Sequence, residues 1–590
     1  MKEARCQKNR SGTDDFHNIS GIENMIIGLD VGGTHTDVVL LGPGGLRNRV
    51  KVLTDTTDLF STVLAGLDRI TRDIDPNEIT QTVLSTTLTT NAIVENKLSP
   101  VGMIVTCGPG IHPDNYRTGI HYYMVKGGID HSGREIQAID EDQVRDAAQK
   151  MVDDGIAHVG VVGKFSTRSP DHENKICKLI EPDFEKVFPG HRISGNFSFP
   201  RRIATTFLNA SIYPIHKKFF EAVKASLVAK GINAPIYILK ADGGTMDFNT
   251  SIDFPGQSIL SGPAASVMGS VAFAEDPSET IVLDIGGTTT DMAVLINRVP
   301  VLVPAGIEIN SFKTHIRALH TRSIGLGGDS AVRVQSGELI IGPDRIGPAM
   351  AYGGPSPTPT DALFVLAQAN DGDRDNAQRG IAAIAEQLGV STEEAARRVF
   401  DKTCRLILEK ADEMVRKINS KPVYTVREAL EGYQIKPGHL LVLGGPAPHF
   451  ARHFQEIAGY KVNTVPQWDV ANAIGTALSR TTCEVTLFVD TYRCRAMAPE
   501  ENYQAPVNPR ITLAEAHEIA LELLTQKALR EGALPGEFET DVLESLEFNM
   551  IRNFQLIGRN IRIKIQVRPG LKHEHHEIAH MINNTPETGN

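Results

Sequence analysis

Cysteine is sparse: Cys6, Cys107, Cys177, Cys404, Cys483 and Cys494 are scattered through 590 residues with no Cys-x-x-Cys pair. That usage gives neither a zinc ribbon nor a disulfide frame, and it suits a reducing cytosol, so a cytoplasmic location is expected. No uninterrupted apolar run approaches the roughly 18 to 20 residues of a membrane helix. Met1 to Met25 is polar and lacks the hydrophobic centre of a secretory signal. Positive charge is not in excess either. The formal net charge of -11 argues against a dedicated nucleic-acid surface. What remains is the composition of a soluble globular protein, 41% hydrophobic and 22% charged. Single cores rarely grow past about 250 to 300 residues, so several domains are expected.

The chain says one thing twice. Ile27 to Leu40 reads Ile-Gly-Leu-Asp-Val-Gly-Gly-Thr-His-Thr-Asp-Val-Val-Leu, and Ile281 to Val294 reads Ile-Val-Leu-Asp-Ile-Gly-Gly-Thr-Thr-Thr-Asp-Met-Ala-Val. Each copy predicts strand, tight turn, strand. The glycine pairs Gly32–Gly33 and Gly286–Gly287 let backbone N–H groups approach one ligand, which suits phosphate oxygens. Thr34, Thr36 and Thr288, Thr289 and Thr290 add hydroxyls. The flanking acids Asp30, Asp37, Asp284 and Asp291 would repel phosphate directly. A hard divalent cation resolves this, because Mg²⁺ takes carboxylate and phosphate oxygens together. The two copies therefore predict two jaws closing on one Mg·nucleotide. An ordinary hairpin would explain Gly-Gly but not acids on both flanks of both copies.

Strands and helices alternate along the rest, which argues an α/β protein with buried sheets. Thr82 to Glu95 predicts a strand, a hydroxyl-rich turn and a helix with Asn91 and Glu95 on one face. Gly108 to Ser132 reads as a Gly/His/Tyr-rich loop. At Leu260 to Ser266, Ser261 and Gly262 precede a helix, a place where N–H groups meet anions. Ser323 to Ser330 lacks the G-x-G-x-x-G spacing of a dinucleotide turn. His439 to Pro448 predicts a buried strand and a glycine turn that could lie flat under a purine, and Val470 to Leu478 a helix of small residues. From Glu484 the texture changes to a small α+β domain, with a capped helix from Thr512 between strands. His576-Glu577-Ile578-Ala579-His580 fits the H-E-x-x-H pattern, yet it lies in what reads as a polar tail without a supporting shell; adventitious metal binding by His573, His575, His576 and His580 is the expectation.

Asp30-Val-Gly-Gly-Thr-His-Thr-Asp37, Ser85 to Ala92, Leu260 to Ala265, Asp284-Ile-Gly-Gly-Thr-Thr-Thr-Asp291, Ile324 to Ser330 and Pro357 to Ala362 resemble the hydantoinase A / 5-oxoprolinase family, within the actin, Hsp70 and sugar-kinase ATPase superfamily. The resemblance spans about Met25 to Arg480. It implies two actin-like, ribonuclease H-like ATPase halves around a nucleotide cleft. The implied organisation is a tail at 1–24, halves at 25–205 and 206–484, an α+β domain at 485–570, and a disordered tail at 571–590. ATP would phosphorylate the carbonyl oxygen of a small cyclic amide, imide or ketone for hydrolysis or carboxylation. A second subunit of the hydantoinase B type or another hydrolase, and a homo- or hetero-oligomer, are implied as well. Asp30, Thr34, Asp37, Asp284 and Asp291 would hold Mg²⁺ and the phosphates of ATP, Gly327, Gly328, Gly444 and Gly445 the nucleotide bed, and Thr86, Thr87, Asn91 and Glu95 the substrate side. Two rival readings are a reactivating chaperone of the same superfamily and a small-molecule kinase. His35, Cys107 to Arg117 and the C-terminal part depart from the family's wording.

Overall fold

The computed structural model describes residues 24–583 apart from 56, 276, 277, 304, 421–433 and 537. The tail expected at 1–24 therefore lies outside the described residues save for Asn24.

Near-continuous apolar runs become strands covered on both faces. β1 (Met25–Val31), β2 (His35–Gly42) and β3 (Gly45–Leu53) form an antiparallel meander. β4 (Ile79–Thr86) and β5 (Ile236–Leu239) extend it in parallel from the other side of β1, and β6 (Thr245–Asp247) ends the sheet. The second half repeats the plan. β7 (Glu279–Ile285) and β8 (Thr290–Ile296) are antiparallel, β9 (Val299–Pro300) follows on the edge, and β10 (His439–Leu443) and β11 (Lys461–Thr464) add in parallel. The strand orders β6-β5-β4-β1-β2-β3 and β9-β8-β7-β10-β11 share one core arrangement, with the hairpin strand central and parallel strands on one side of it. The repeat in the sequence is thus a repeat of the fold, the paired ribonuclease H-like halves expected.

Connecting segments position the site. α1 (Leu88–Val94) follows β4, and α2 (Phe199–Ala229) opens with Pro200 in its first turn, where a missing N–H costs nothing. α3 (Ser261–Val271) and α4 (Ala471–Leu478) lie between the two sheets. They are helices of small residues because they cross backbone to backbone. A Cβ at Gly475 would sit 2.5 Å from the Ala265 carbonyl oxygen, and one at Gly269 would overlap the Ala471 carbonyl. α4 also lies on β1, where a Cβ at Gly28 would meet the Ala477 methyl at 2.8 Å. One apolar cluster consequently joins Ile26, Val39 and Val83 of the first sheet to Val282, Ala293 and Leu441 of the second through these helices. The C-terminal domain is a five-stranded antiparallel sheet with α5 (Leu513–Arg530), whose Thr512 and Glu515 form a reciprocal capping box. Among the described residues no helix is long and apolar enough to cross a membrane.

Three expectations change. The boundary at 205/206 cuts through α2, and β5 and β6 belong to the first sheet, so the first half extends to the start of α3; a continuous helix carries no composition shift to mark it. The loop expected over Gly108 to Ser132 contains the strand Tyr122–Ile129, paired in parallel with Gly102–Cys107 in a separate five-stranded sheet. The tail expected at 571–590 holds α6 (His575–Asn583), with Ile578, Met581 and Ile582 buried against the inter-sheet core. Their i, i+3, i+4 spacing is a helical stripe that the surrounding histidines disguise. The residues 584–590 lie outside the described ones.

The crossing of α3 and α4 yields a stability prediction. Gly269→Ala and Gly475→Ala should each cost about 1–3 kcal/mol or more through overpacking. Gly445→Ala, which meets nothing within 4 Å, should be silent. Scanning calorimetry of the three variants checks this, and equal melting temperatures would refute the close crossing.

Candidate functional site

Each hairpin delivers two carboxyls to one corner. Asp30 stands opposite Asp37 across β1 and β2, and Asp284 opposite Asp291 across β7 and β8, so each pair projects from the same face of its ribbon. The turns match to the hydrogen bond: Gly32 N–H donates to the His35 carbonyl at 3.1 Å, and Gly286 N–H to that of Thr289 at 2.9 Å.

The four acids hold unequal partners. Asp30 accepts from Ser85 Oγ at 2.6 Å and from Asn472 Nδ2 of α4 at 3.1 Å. Asp284 accepts from Ser266 Oγ of α3. Asp37 pairs with Lys51 Nζ of β3 at 2.7 Å. Burial raises the pKa of all four above the ordinary carboxylate range, with the nearby hydroxyl, amide and ammonium groups opposing it. Asp37 is pushed up to about 6 and Asp291 to about 7, each by burial first and then, against the lowering by its own partner, by the acid opposite it.

The two corners lie within electrostatic range of each other. The Asp30 charge acts on Asp284, and the Lys51 ammonium acts on Asp30, Asp37 and Asp284. His35, at the tip of the first hairpin, feels Asp329 and Arg345 of the other half, though burial dominates in lowering its pKa.

A floor of glycines runs beneath the second corner. Gly328 N–H donates to the Gly286 carbonyl at 2.9 Å and Asp329 N–H to that of Gly287 at 2.7 Å. A Cβ at Gly327 would lie 2.5 Å from the Gly286 oxygen. At Gly444, φ is +96° and a Cβ would stand 2.6 Å from Asp284 Oδ1, so only glycine lets the β10 turn close on that acid. Gly445 next to it faces open space.

Other expected residues separate. Gly33, Thr34 and Thr288 are exposed at the turns, and Gly287 and Thr289 partly so. Thr36 is buried with its hydroxyl 2.9 Å from Thr54 Oγ1, so it braces β2 and β3 and does not face the turn. Thr290 Oγ1 is likewise spent on the Leu326 carbonyl at 2.6 Å. Thr87 starts α1, and Asn91 Nδ2 lies 3.8 Å from where Gly33 would carry a Cβ, which brings Asn91 to the first turn. Glu95, half exposed, pairs with Lys97 at 2.6 Å.

Sequence reading missed Lys51, Ser266, Asn472, Asp329 and Arg345. Asn472 left one signal, a lone amide in a helix otherwise made of small and apolar residues. Lys51 left none, since a lysine on an edge strand is ordinary.

The donor set fits Mg²⁺. Among the described residues no three metal-ligating side chains converge, so an all-protein cage is not built. Mg²⁺ characteristically takes one or two carboxylates with waters and substrate phosphates, and Asp30 and Asp284 carry hydroxyl and amide donors but no cation of their own.

The raised carboxyls set a pH dependence. A folded-state pKa above the unfolded one stabilises the fold at low pH, and that contribution is lost as pH rises through about 6 for Asp37 and about 7 for Asp291. Melting temperatures of the metal-free protein at pH 5, 6, 7 and 8 should therefore fall across this window, and Asp291→Asn should flatten the fall. An unchanged slope in the variant would contradict the assignment.

A family described as Hydantoinase/oxoprolinase matches residues 202–485, and its Hydantoinase/oxoprolinase N-terminal region matches residues 26–183. The caprolactamase subunit alpha of Pseudomonas jessenii is 24% identical over 75% of this chain and 68% of its own length. The acetophenone carboxylase gamma subunit of Aromatoleum aromaticum is 26% identical over 72% of this chain and 63% of that protein. The 5-oxoprolinase of Saccharomyces cerevisiae is 30% identical over 41% of this chain, which spans only 19% of that protein. Two solved structures share the fold: ATP-dependent caprolactamase from Pseudomonas jessenii, with a TM-score of 0.66, 20% identity and coverage of 92% of this chain and 87% of that one, and nucleotide-free acetone carboxylase, with 0.65, 17%, 93% and 88%. With both halves of the acidic cleft inside the matched regions, the chain belongs to the hydantoinase/oxoprolinase family.

Proposed function

We propose that this chain is an ATP-dependent enzyme subunit that phosphorylates the carbonyl oxygen of a small cyclic amide, imide or ketone, activating it for hydrolysis or carboxylation. The observation that supports the reading is that Asp30 and Asp284 stand within electrostatic range, each at a glycine turn of the same design.

An amide carbonyl is a poor electrophile, and an O-phosphate makes it a good one. The carbonyl oxygen attacks the γ-phosphorus, the bond to the bridging oxygen breaks and ADP leaves. For a lactam, loss of the N–H proton leaves an O-phosphorylated imidate. Water then adds at carbon and the ring C–N bond breaks, leaving a free amine and an acyl phosphate, which a second water hydrolyses to phosphate and the amino acid. Phosphoryl transfer needs alignment and charge stabilisation more than covalent chemistry. Bound Mg²⁺ would supply charge neutralisation between Asp30, Asp284 and the phosphates. The chain's own part is to hold those acids by Ser85, Asn472 and Ser266, to present the N–H groups of the two turns, and to place Lys51 as a fixed positive charge among the carboxylates. Thr87 and Asn91, at the first turn, stand on the substrate side.

The relatives named as subunits support a partner subunit, with hydantoinase B type as the candidate, and a cytoplasmic setting accords with free cysteines. No observation favours a chaperone or a plain kinase, and both are readable outcomes of the same assay.

ADP release should be measured over a panel of hydantoins, 5-oxoproline, caprolactam and simple ketones, with and without a co-purified partner. Substrate-stimulated ADP release is expected, and Asp30→Asn and Asp284→Asn should each lower it by at least about 100-fold, the scale of losing a fixed electrostatic contact to a developing charge. Glu95→Ala should stay within about twofold, as expected for an exposed ion pair. A stable phosphorylated product would point to a kinase; the pure protein failing to bind nucleotide would end the proposal.

A further inference from the structure

A second polar chamber lies apart from the acidic cleft, where the C-terminal domain closes against the first half. It has a volume of ≈ 90 Å³, and none of the four cleft carboxyls lines it. At roughly 15 Å³ per water-sized sphere, it has room for about six. Its walls carry Lys240 from the turn after β5, Arg317, and Glu484, Glu500, Lys527 and Glu531 from the C-terminal domain.

The ion pairs around this chamber are stretched. Arg317 reaches Asp242 Oδ2 and Glu484 Oε2 only at 3.5 Å, and Lys240 Nζ stands 4.0 Å from both Asp242 Oδ2 and Glu531 Oε2. A charge-assisted N–H···O bond closes to about 2.7–2.9 Å. Two wall residues reach such distances with partners outside the chamber: Glu484 with Lys564 at 2.9 Å and Lys527 with Glu501 at 2.6 Å.

Hydrogen-bonding capacity is left over on both sides. Arg317 Nε and Nη2 make no hydrogen bond among the described residues, and neither does Oε2 of Glu531, whose side chain is 8% exposed. Glu500 accepts the Gly195 N–H and, among the described residues, has no cation at ion-pair distance. Burial holds both glutamates above the ordinary carboxylate range, while His315 on the same wall is pushed down to about 3 and stays neutral. Buried polar groups left unmatched are costly, so an amphoteric occupant is favoured over an apolar one or one of a single charge.

We propose that this chamber binds a small amino acid, its carboxylate taken by the Arg317 guanidinium and Lys240 ammonium, and its ammonium by the Glu531 and Glu500 carboxylates. The charge pattern alone carries the site; the lactam reading adds only that a ring-opened product is a compound of this class.

Calorimetric titration of the full chain with glycine, β-alanine, 4-aminobutyrate and glutamate tests it, with butylamine and butyrate as single-charge controls. At least one amino acid should bind saturably and neither control should. Arg317→Lys and Glu531→Gln should each weaken that binding at least tenfold while the thermal shift produced by Mg·ATP is retained. If none of the four amino acids binds, the chamber holds water alone and the proposal falls; it falls equally if both variants bind like the parent chain. Loss of Mg·ATP binding in the parent chain would sink the proposed reaction and leave this result standing.

Discussion

Carboxylates kept from water repel one another, and the cleft is built around Asp30 and Asp284 held in mutual range. Among the described residues neither has a cation of its own. Each is steadied by neutral donors, Ser85 and Asn472 on one side and Ser266 on the other. Those donors sit on β4 of the first sheet and on α4 and α3, the helices that pass between the sheets. The close crossing at Gly269 and Gly475 therefore sets both the spacing of the halves and the aim of the acids. Such an arrangement disfavours itself when empty and becomes favourable with a hard cation and phosphates, which ties the electrostatics to the chemistry.

The remaining architecture serves that cleft from outside it. The inserted five-stranded sheet beside α2 and the C-terminal domain beside the turn after β5 enclose the first half without contributing to the acidic corners. The contact of the C-terminal domain with the first half instead encloses charges of both signs, with ion pairs drawn out to 3.5–4.0 Å. The two regions differ in a way that matters physically. The cleft has negative charge in excess around one lysine, and the chamber has both signs in near balance, so the charge pattern of the first suits the proposed metal-bound polyanion and that of the second the proposed zwitterion.

Much of the local structure was legible because local physics decides it. Gly-Gly between apolar runs gave both hairpins, Thr512 gave a helix start through side-chain acceptance from the third residue on, and small residues over Val470 to Leu478 gave a helix that approaches another backbone closely. The glycines at 327, 328 and 444 stand where a Cβ would strike the Gly286 carbonyl, Thr360 Oγ1 or Asp284, and that steric reason is why a bare backbone is needed there. Where polar residues masked an apolar stripe, reading failed. Ile578, Met581 and Ile582 form a buried helix face hidden among histidines, and Tyr122–Ile129 forms a strand inside a segment whose glycines read as loop.

By itself the sequence determined the doubled acid-and-glycine hairpin and hence the expectation of a shared metal-nucleotide site, since each corner is a contiguous stretch whose geometry follows from its own turn. Only the tertiary structure decided which side chains support those corners. Lys51, Ser266 and Asn472 reach the acids from strands and helices distant in the chain, and Thr36 turns out to brace the sheet. It also decided that Arg317, Lys240 and Glu531 share a chamber, because ion pairs and cavities depend on distances through space that no local pattern encodes.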